Sequence, residues 1–342
     1  MEPPPTAGDT SSASLFDFVS FLVIFCWVVG ASEPLLYDKL MTLDPIQKCA
    51  ICNGTSGTRY IFREMMFGTR EEFLYWECCT CGYLQIVQVP ENLSAYYPDN
   101  YHSFSARLSL MQRLFCRLYA KVPGLVELFH SPGEKVRSVL DAKLRAGARI
   151  LDVGCGAGKL VMALRGMGFD AHGIDPFLRS ETDYVRPISL TNVPQGWDLI
   201  MFHHSLEHMT DHVGVLRLVR EKLFVDGTCL VRVPVANWAW HHYKENWMQL
   251  DAPRHLLIPT PQGFNRASEA AGFRIARTRY DGRGITFVTS EMYQRDIPLT
   301  ETDSEVARLG RAAMRKLNAR AADLNRQGLG DQAAFYLKPI SL

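Results

Sequence analysis

The stretch Arg149-Ile150-Leu151-Asp152-Val153-Gly154-Cys155-Gly156-Ala157-Gly158-Lys159-Leu160 constrains the fold more than any other part of the chain. An apolar run too short for a helix ends in an acid, passes through Gly154, Gly156 and Gly158, and opens into a helical pattern from Lys159 to Met167. That order reads as strand, tight turn, helix. Glycine suits such a turn because a chain lying against a ligand needs backbone angles that a Cβ forbids, and its amides must approach closely. A nucleotide-like ligand is expected there.

Dinucleotide-binding folds want G-x-G-x-x-G, whereas this stretch reads Asp-x-Gly-x-Gly-x-Gly. A second acid closes the short strand Ala171-His172-Gly173-Ile174-Asp175, 23 residues after Asp152. Together these features resemble the first motif and second-strand acid of the class I S-adenosylmethionine-dependent methyltransferases. The resemblance implies that Asp175 takes the two ribose hydroxyls of S-adenosylmethionine. It also implies cofactor contacts from Asp152, Gly154, Cys155, Gly156, Gly158, Pro176 and His203.

At 342 residues and 47% hydrophobic content the chain can hold one large domain and a small one. Acids and bases are interspersed and the net charge is +1, so no basic stripe points to a nucleic-acid partner. Five of nine cysteines fall between Cys49 and Cys81, the others being Cys26, Cys116, Cys155 and Cys229. That clustering favours a metal site in a reducing compartment, the cytoplasm, over a disulfide framework.

Met1 to Ser14 is rich in Pro, Ser, Thr and Ala and is expected to be disordered. Leu15 to Ala31 is apolar except for Asp17 and Ser20, marginally short of the roughly 20 residues a membrane span needs. It lacks the basic flank of a secretory signal. A membrane contact through residues 15–31, a helix packed on the domain, and an extension absent from a working protein that begins near Met41 are the three readings.

Cys49-Ala50-Ile51-Cys52-Asn53-Gly54 and Cys78-Cys79-Thr80-Cys81-Gly82 are two C-x-x-C knuckles, each followed by glycine. Thr58 to Arg63 and Glu72 to Trp76 between them read as a hairpin, which accommodates the 25-residue gap. Cys49, Cys52, Cys78 and Cys81 are the expected ligands of a structural zinc, with Cys79 spare or standing in for Cys78. Four protein thiolates leave such a zinc no open position for catalysis. Further on, Ala95-Tyr96-Tyr97-Pro98-Asp99-Asn100-Tyr101 is aromatic and turn-rich, and Leu108 to Tyr119 has helical periodicity. Knuckles, tyrosine-rich turn and glycine motif in this order resemble a subfamily that includes deoxysugar C-methyltransferases. In that resemblance Tyr97 or Tyr101 covers the cofactor; the alternative is that they pack the linker on the core.

Glu134 to Ala146 reads as the helix leading into the first core strand, Val185 to Leu190 as the third strand and Trp197 to Phe202 as the fourth. Val213 to Leu223 reads as a helix, Asp226-Gly227 as a turn into the fifth strand Thr228 to Val233, and Gly263 to Ala271 as a helix. Phe273 to Tyr280 is the sixth strand, Glu305 to Asn325 a long polar helix and Ala333 to Leu337 the last strand. The fold class is therefore α/β, a doubly wound Rossmann-like seven-stranded sheet, mostly parallel, preceded by a small zinc-ribbon-like β module. The resemblance makes the last strand antiparallel. The expected organisation is an extension (1–40), the ribbon-like module (41–90), an aromatic linker and helix (91–132) and the methyltransferase domain (133–342).

Ligands of open α/β sheets sit at the carboxyl ends of the strands, where His203-His204-Ser205-Leu206-Glu207-His208 follows the fourth strand. This segment resembles the family's Leu-Glu-His pattern. If it starts a helix, His204 and His208 share a face, as do His203 and Glu207. His208 is the candidate general base and Glu207 its orienting or substrate-binding partner, with His204 beside them; helix capping is the structural alternative. A metal at His204 and His208 has the spacing but no evident third ligand. From Pro234 to Pro261 the chain is rich in aromatics and histidine, and Asp251-Ala252-Pro253-Arg254-His255-Leu256 resembles the family's substrate-covering insertion. Trp247, Arg254 and His255 are expected to bind substrate; alternatively the tryptophans form a satellite core and Arg254 pairs with Asp251. The expected acceptor is a small molecule, a sugar or sugar nucleotide. A lipid or quinone precursor, and a non-catalytic zinc-ribbon protein with an inactive core, are the alternatives.

Overall fold

The computed structural model describes residues 48–97, 108–122, 133–178 and 181–340. Residues 15–31, the Met41 start and Tyr101 lie outside the described residues. Gln47–Leu342 forms one compact unit.

In chain order the strands are β1 (Gly57–Arg63), β2 (Glu72–Cys78), β3 (Leu84–Ile86), β4 (Arg149–Val153), β5 (Asp170–Ile174) and β6 (Val185–Arg186). They continue with β7 (Trp197–His203), β8 (Leu223–Pro234), β9 (Leu257–Ile258), β10 (Phe273–Tyr280) and β11 (Gln332–Pro339). The helices are α1 (Leu110–Lys121), α2 (Glu134–Leu140), α3 (Lys159–Gly166), α4 (His212–Lys222), α5 (Trp238–Tyr243), α6 (Pro261–Ala270), α7 (Ile285–Gln294) and α8 (Thr302–Arg326). Among the described residues no helix is long and apolar enough to cross a membrane.

The main sheet runs β10-β11-β8-β7-β4-β5-β6. β4 pairs parallel with β5 and β7, β7 with β8, and β5 with β6. β11 is antiparallel to both β8 and β10, so the last strand alone reverses the common direction. The central strands are covered on both faces, which is why β4 (Arg-Ile-Leu-Asp-Val) and β7 (Trp-Asp-Leu-Ile-Met-Phe-His) are nearly continuous apolar runs. One face packs Leu151, Ile200, Phe202, Val231 and Phe335 against α4 and α6; the other packs Ile150, Leu199, Met201 and Leu230 against α2 and α3.

A second, antiparallel sheet has the order β1-β2-β3-β9. Its fourth strand comes from the connection after β8, so the cysteine knuckles are stitched to the core by main-chain pairing of Leu84 with Ile258. Its aromatic underside, Phe62 and Tyr75, packs with Trp240, Trp247 and Phe287 from α5, the following turn and α7.

Several boundaries depart from expectation. α2 stops at Leu140 instead of Ala146, because Lys143 (φ 52°) and Gly147 (φ 68°) turn left-handed. β6 has only two residues, Pro187 following it without an amide to continue the edge. The Asp226-Gly227 turn is absorbed into β8 as an excursion: the register with β7 jumps from Trp197↔Leu223 to Leu199↔Thr228. α8 is broken at Gly310 (φ 77°).

Candidate active site and cysteine cluster

The turn between β4 and α3 places Gly154, Gly156 and Gly158 at φ 75°, 52° and 77°. A Cβ on Gly154 would sit 2.4 Å from Ser205 Cβ, and one on Gly158 2.5 Å from Val185 Cγ2. The amides of Gly154 and Cys155 donate to Ile174 O at the end of β5, at 2.8 and 3.2 Å. Asp175 accepts from Gly156 N through Oδ2 and from Phe177 N through Oδ1, both at 3.0 Å. The carboxylate is thereby held beside the glycine turn, half-buried, with Pro176 exposed next to it.

Asp152 is 3% exposed, and its Oδ1 has no hydrogen-bond partner among the described residues. Burial pushes its pKa up to about 7, the Lys135 charge opposing and the Asp175 charge adding to the shift. Burial, then the charges of Asp152 and Asp175, raises the Cys155 thiol well above its ordinary value, which disfavours the thiolate.

After β7 the chain does not enter an α-helix. His204 turns it at φ 56° and Leu206–His208 is a single 3₁₀ turn, so the shared face expected for His204 and His208 does not form. His204 points toward β8 and β11: its Nε2 accepts from Arg232 and from Gln332, which leaves Nδ1–H to donate to Glu207 Oε1 at 3.2 Å. Burial, reinforced by the Arg232 charge over the opposing effect of Glu207, lowers the His204 pKa. His203 lies buried at the end of β7, 3.5 Å from Ser138 Oγ, and burial followed by the Arg232 charge drives its pKa well below the ordinary value. Glu207 is fully buried; burial is the largest single influence and opposes its ionisation, but the His204 hydrogen bond together with the charges of His204, His208 and His255 outweighs it and holds the carboxyl below its usual range.

His208 is half-buried on the other side of this turn. Its Nδ1 lies 2.8 Å from Arg254 O and 3.1 Å from the Tyr97 hydroxyl, and its ring is 4.9 Å from that of His255. A carbonyl only accepts, so Nδ1 carries the proton and Nε2 presents a lone pair. The structure thus brings Tyr97, Glu207, His208 and His255 together.

It does not present Arg254 or Trp247 to a ligand. Arg254 is fully buried and its guanidinium is committed to Asp251 (2.7 Å), Glu64 (2.9 Å) and the carbonyl of Tyr96 (3.2 Å). Trp247 is fully buried and donates Nε1–H to Asp331 Oδ2 at 3.2 Å. Both belong to the satellite core. Arg232, whose Nε donates to Asp281 at 2.8 Å, and Gln332 hold His204 in the candidate site, and sequence reasoning passed over both. An arginine inside the apolar run Leu230-Val231-Arg232-Val233 was the available signal; nothing comparable marks Glu64.

The sulfurs of Cys49, Cys52, Cys78 and Cys81 all lie within 4.8 Å of one another, with Cys49···Cys81 at 3.4 Å and Cys52···Cys78 at 3.5 Å. Tetrahedral zinc with bonds near 2.3 Å separates its sulfurs by about 3.8 Å, which this cluster fits. The Ile51 amide points at Cys49 Sγ at 3.4 Å, and a Cβ on Gly54 would lie 3.3 Å from both Cys52 and Cys78 Sγ. Glycine there leaves room for the thiols to close on an ion. Cys79 is exposed and outside the quartet.

Residues 127–278 match the family described as Methyltransferase domain. No curated protein matches the chain. Among solved structures, a SAM-dependent methyltransferase from Archaeoglobus fulgidus is 19% identical, with TM-score 0.40 over 63% of this chain and 97% of that one. A Haloferax volcanii methyltransferase complex with the activator Trm112 gives 14%, TM-score 0.43, and 61% and 89% coverage. An O-methyltransferase from a Brevibacillus brevis polyketide multienzyme, bound to S-adenosyl-L-homocysteine, gives 16%, TM-score 0.38, and 69% and 82%. The family match spans residues 127–278, and the seven-stranded sheet has the Rossmann-like methyltransferase fold.

Proposed function

We propose that this protein is an S-adenosylmethionine-dependent methyltransferase acting on a small molecule, a sugar or sugar nucleotide. The carrying observation is the pairing of the glycine turn with Asp175, whose Oδ2 accepts the Gly156 amide at 3.0 Å at the carboxyl end of neighbouring strands. In this reading Asp152, Gly154, Cys155, Gly156, Gly158, Pro176 and His203 line the cofactor cleft and Asp175 takes the ribose hydroxyls. The methyl group passes in line from sulfonium to acceptor, so holding the three centres in line supplies much of the rate. The acceptor's proton goes to His208 Nε2, its ring fixed by the Arg254 carbonyl, and S-adenosylhomocysteine leaves. Tyr97 and His255 flank the acceptor. Cys49, Cys52, Cys78 and Cys81 hold a structural zinc, which suits a reducing cytoplasm; the ribbon-like module (41–90) and the methyltransferase domain (133–342) are its two working parts.

Removing the ribose contact tests the cofactor assignment. Asp175→Ala should weaken S-adenosylhomocysteine binding in calorimetry by about 1–3 kcal/mol; unchanged affinity removes the residue from that role. A labelled methyl donor offered nucleotide sugars and isoprenoid phenols separates the acceptor classes, and transfer to the phenols alone would overturn the sugar assignment.

A further inference from the structure

Glu207 carries an orphan. Its carboxylate is fully buried, Oε1 accepts from His204 Nδ1, and Oε2 has no hydrogen-bond partner among the described residues. A buried anionic oxygen with nothing to balance it is costly. Two imidazoles lie beside this carboxylate, and both are turned the same way. His208 Nδ1 lies 2.8 Å from Arg254 O and His255 Nδ1 2.8 Å from Gln249 O. Each Nδ1 therefore donates its proton to a backbone carbonyl and each neutral ring directs an Nε2 lone pair elsewhere. For His255 that lone pair looks toward Glu207 Oε1 at 3.9 Å and Asp251 Oδ2 at 3.7 Å. A lone pair set against two carboxylates repels them unless a positive charge lies between. Ligand atoms of Glu207, His208 and His255 all lie within 4.8 Å of one another.

We propose that Glu207, His208 and His255 form a binding site for a divalent first-row transition-metal ion. Two imidazoles and one carboxylate are the donors that suit such ions, whereas magnesium and calcium prefer oxygen throughout. The supporting shell is built: carbonyls hold both rings by Nδ1, and His204 holds the carboxylate through Oε1, the outer hydrogen bonds that orient metal ligands. Asp251 is not free to complete the set, since both its oxygens bind Arg254. His208 is half-buried, so the ion keeps a side open toward solvent. The ion and a proton compete for the same His208 lone pair, and a loaded site switches off that residue as a base. The site does not depend on the cofactor reading.

Cobalt(II) tests it in the full chain after the cysteine quartet has been filled with zinc. One further equivalent should bind, with visible d–d bands and without the near-ultraviolet thiolate-to-cobalt charge transfer that occupation of the quartet would produce. Glu207→Gln, His255→Ala and His208→Ala should each weaken that equivalent at least tenfold, with circular dichroism reporting that each variant remains folded. The half-buried His208 is the variant that perturbs the core least. No added cobalt at millimolar concentration overturns the site. So does an extra equivalent that survives His208→Ala and His255→Ala undiminished.

Discussion

Asp152 sits at the carboxyl end of β4 with one oxygen unpaired, and burial sets its pKa at about 7 against an ordinary 3.8. Between about pH 4 and pH 7 the folded protein therefore keeps a proton that the unfolded chain has released. Stability should fall as pH rises through that window and level off above it. Asp152→Asn removes the slope: it should gain about 2–4 kcal/mol on the wild type between pH 4.5 and pH 7.5 in urea denaturation. Parallel curves for the two proteins would show that Asp152 ionises without cost. Residue identity alone made Asp152, the glycines and Asp175 visible, because an acid and unusual backbone angles leave marks in composition. Arg254 and Trp247 were a different case. A sequence shows that arginine and tryptophan are present but not that Glu64, 187 residues before the Asp251 turn, supplies the arginine with a second carboxylate.

At the scale of the element, the turn before α3 works because three residues accept angles that side chains resist. Gly158 is the strictest: it caps α3 at φ 77° and ψ 21°, and its missing Cβ leaves room for Val185 Cγ2. Gly158→Ala should destabilise the protein by about 2–4 kcal/mol, part from left-handed backbone and part from the collision with β6. Adding Val185→Ala should relieve only the second part, giving a coupling of at least about 1 kcal/mol in a double-mutant cycle; additive effects would place the whole cost in the backbone. Regular elements were largely legible, since β4 and β7 carry nearly continuous apolar runs. The irregular ones were not. α7, Ile-Thr-Phe-Val-Thr-Ser-Glu-Met-Tyr-Gln, is buried over most of its surface and so lacks the polar stripe that gives a helix its period. The His204 turn needs a left-handed histidine, which no local rule anticipates.

At the scale of the whole molecule, the cysteine cluster is not a bead on a string. β3 pairs with β9, Trp240 Nε1 donates to Glu77 Oε1 at 3.0 Å, and Tyr75 OH donates to His255 O at 2.9 Å. The Glu64–Arg254 ion pair closes the same seam, both side chains fully buried. Breaking a buried charge pair on one side leaves the other charge stranded at a cost of about 3–5 kcal/mol, so movement of the hairpin would be felt directly beside His255. Loss of the proposed zinc from the quartet must then propagate. Cys52→Ser, at a half-buried ligand, should reduce bound zinc from one equivalent to a small fraction and lower the melting temperature of the entire unit in one cooperative transition. Elemental analysis reads the first effect and differential scanning calorimetry the second. An early, separate transition with the main one unmoved would mean that the hairpin folds on its own, and that its ties to β9 and Arg254 transmit nothing to the seven-stranded sheet.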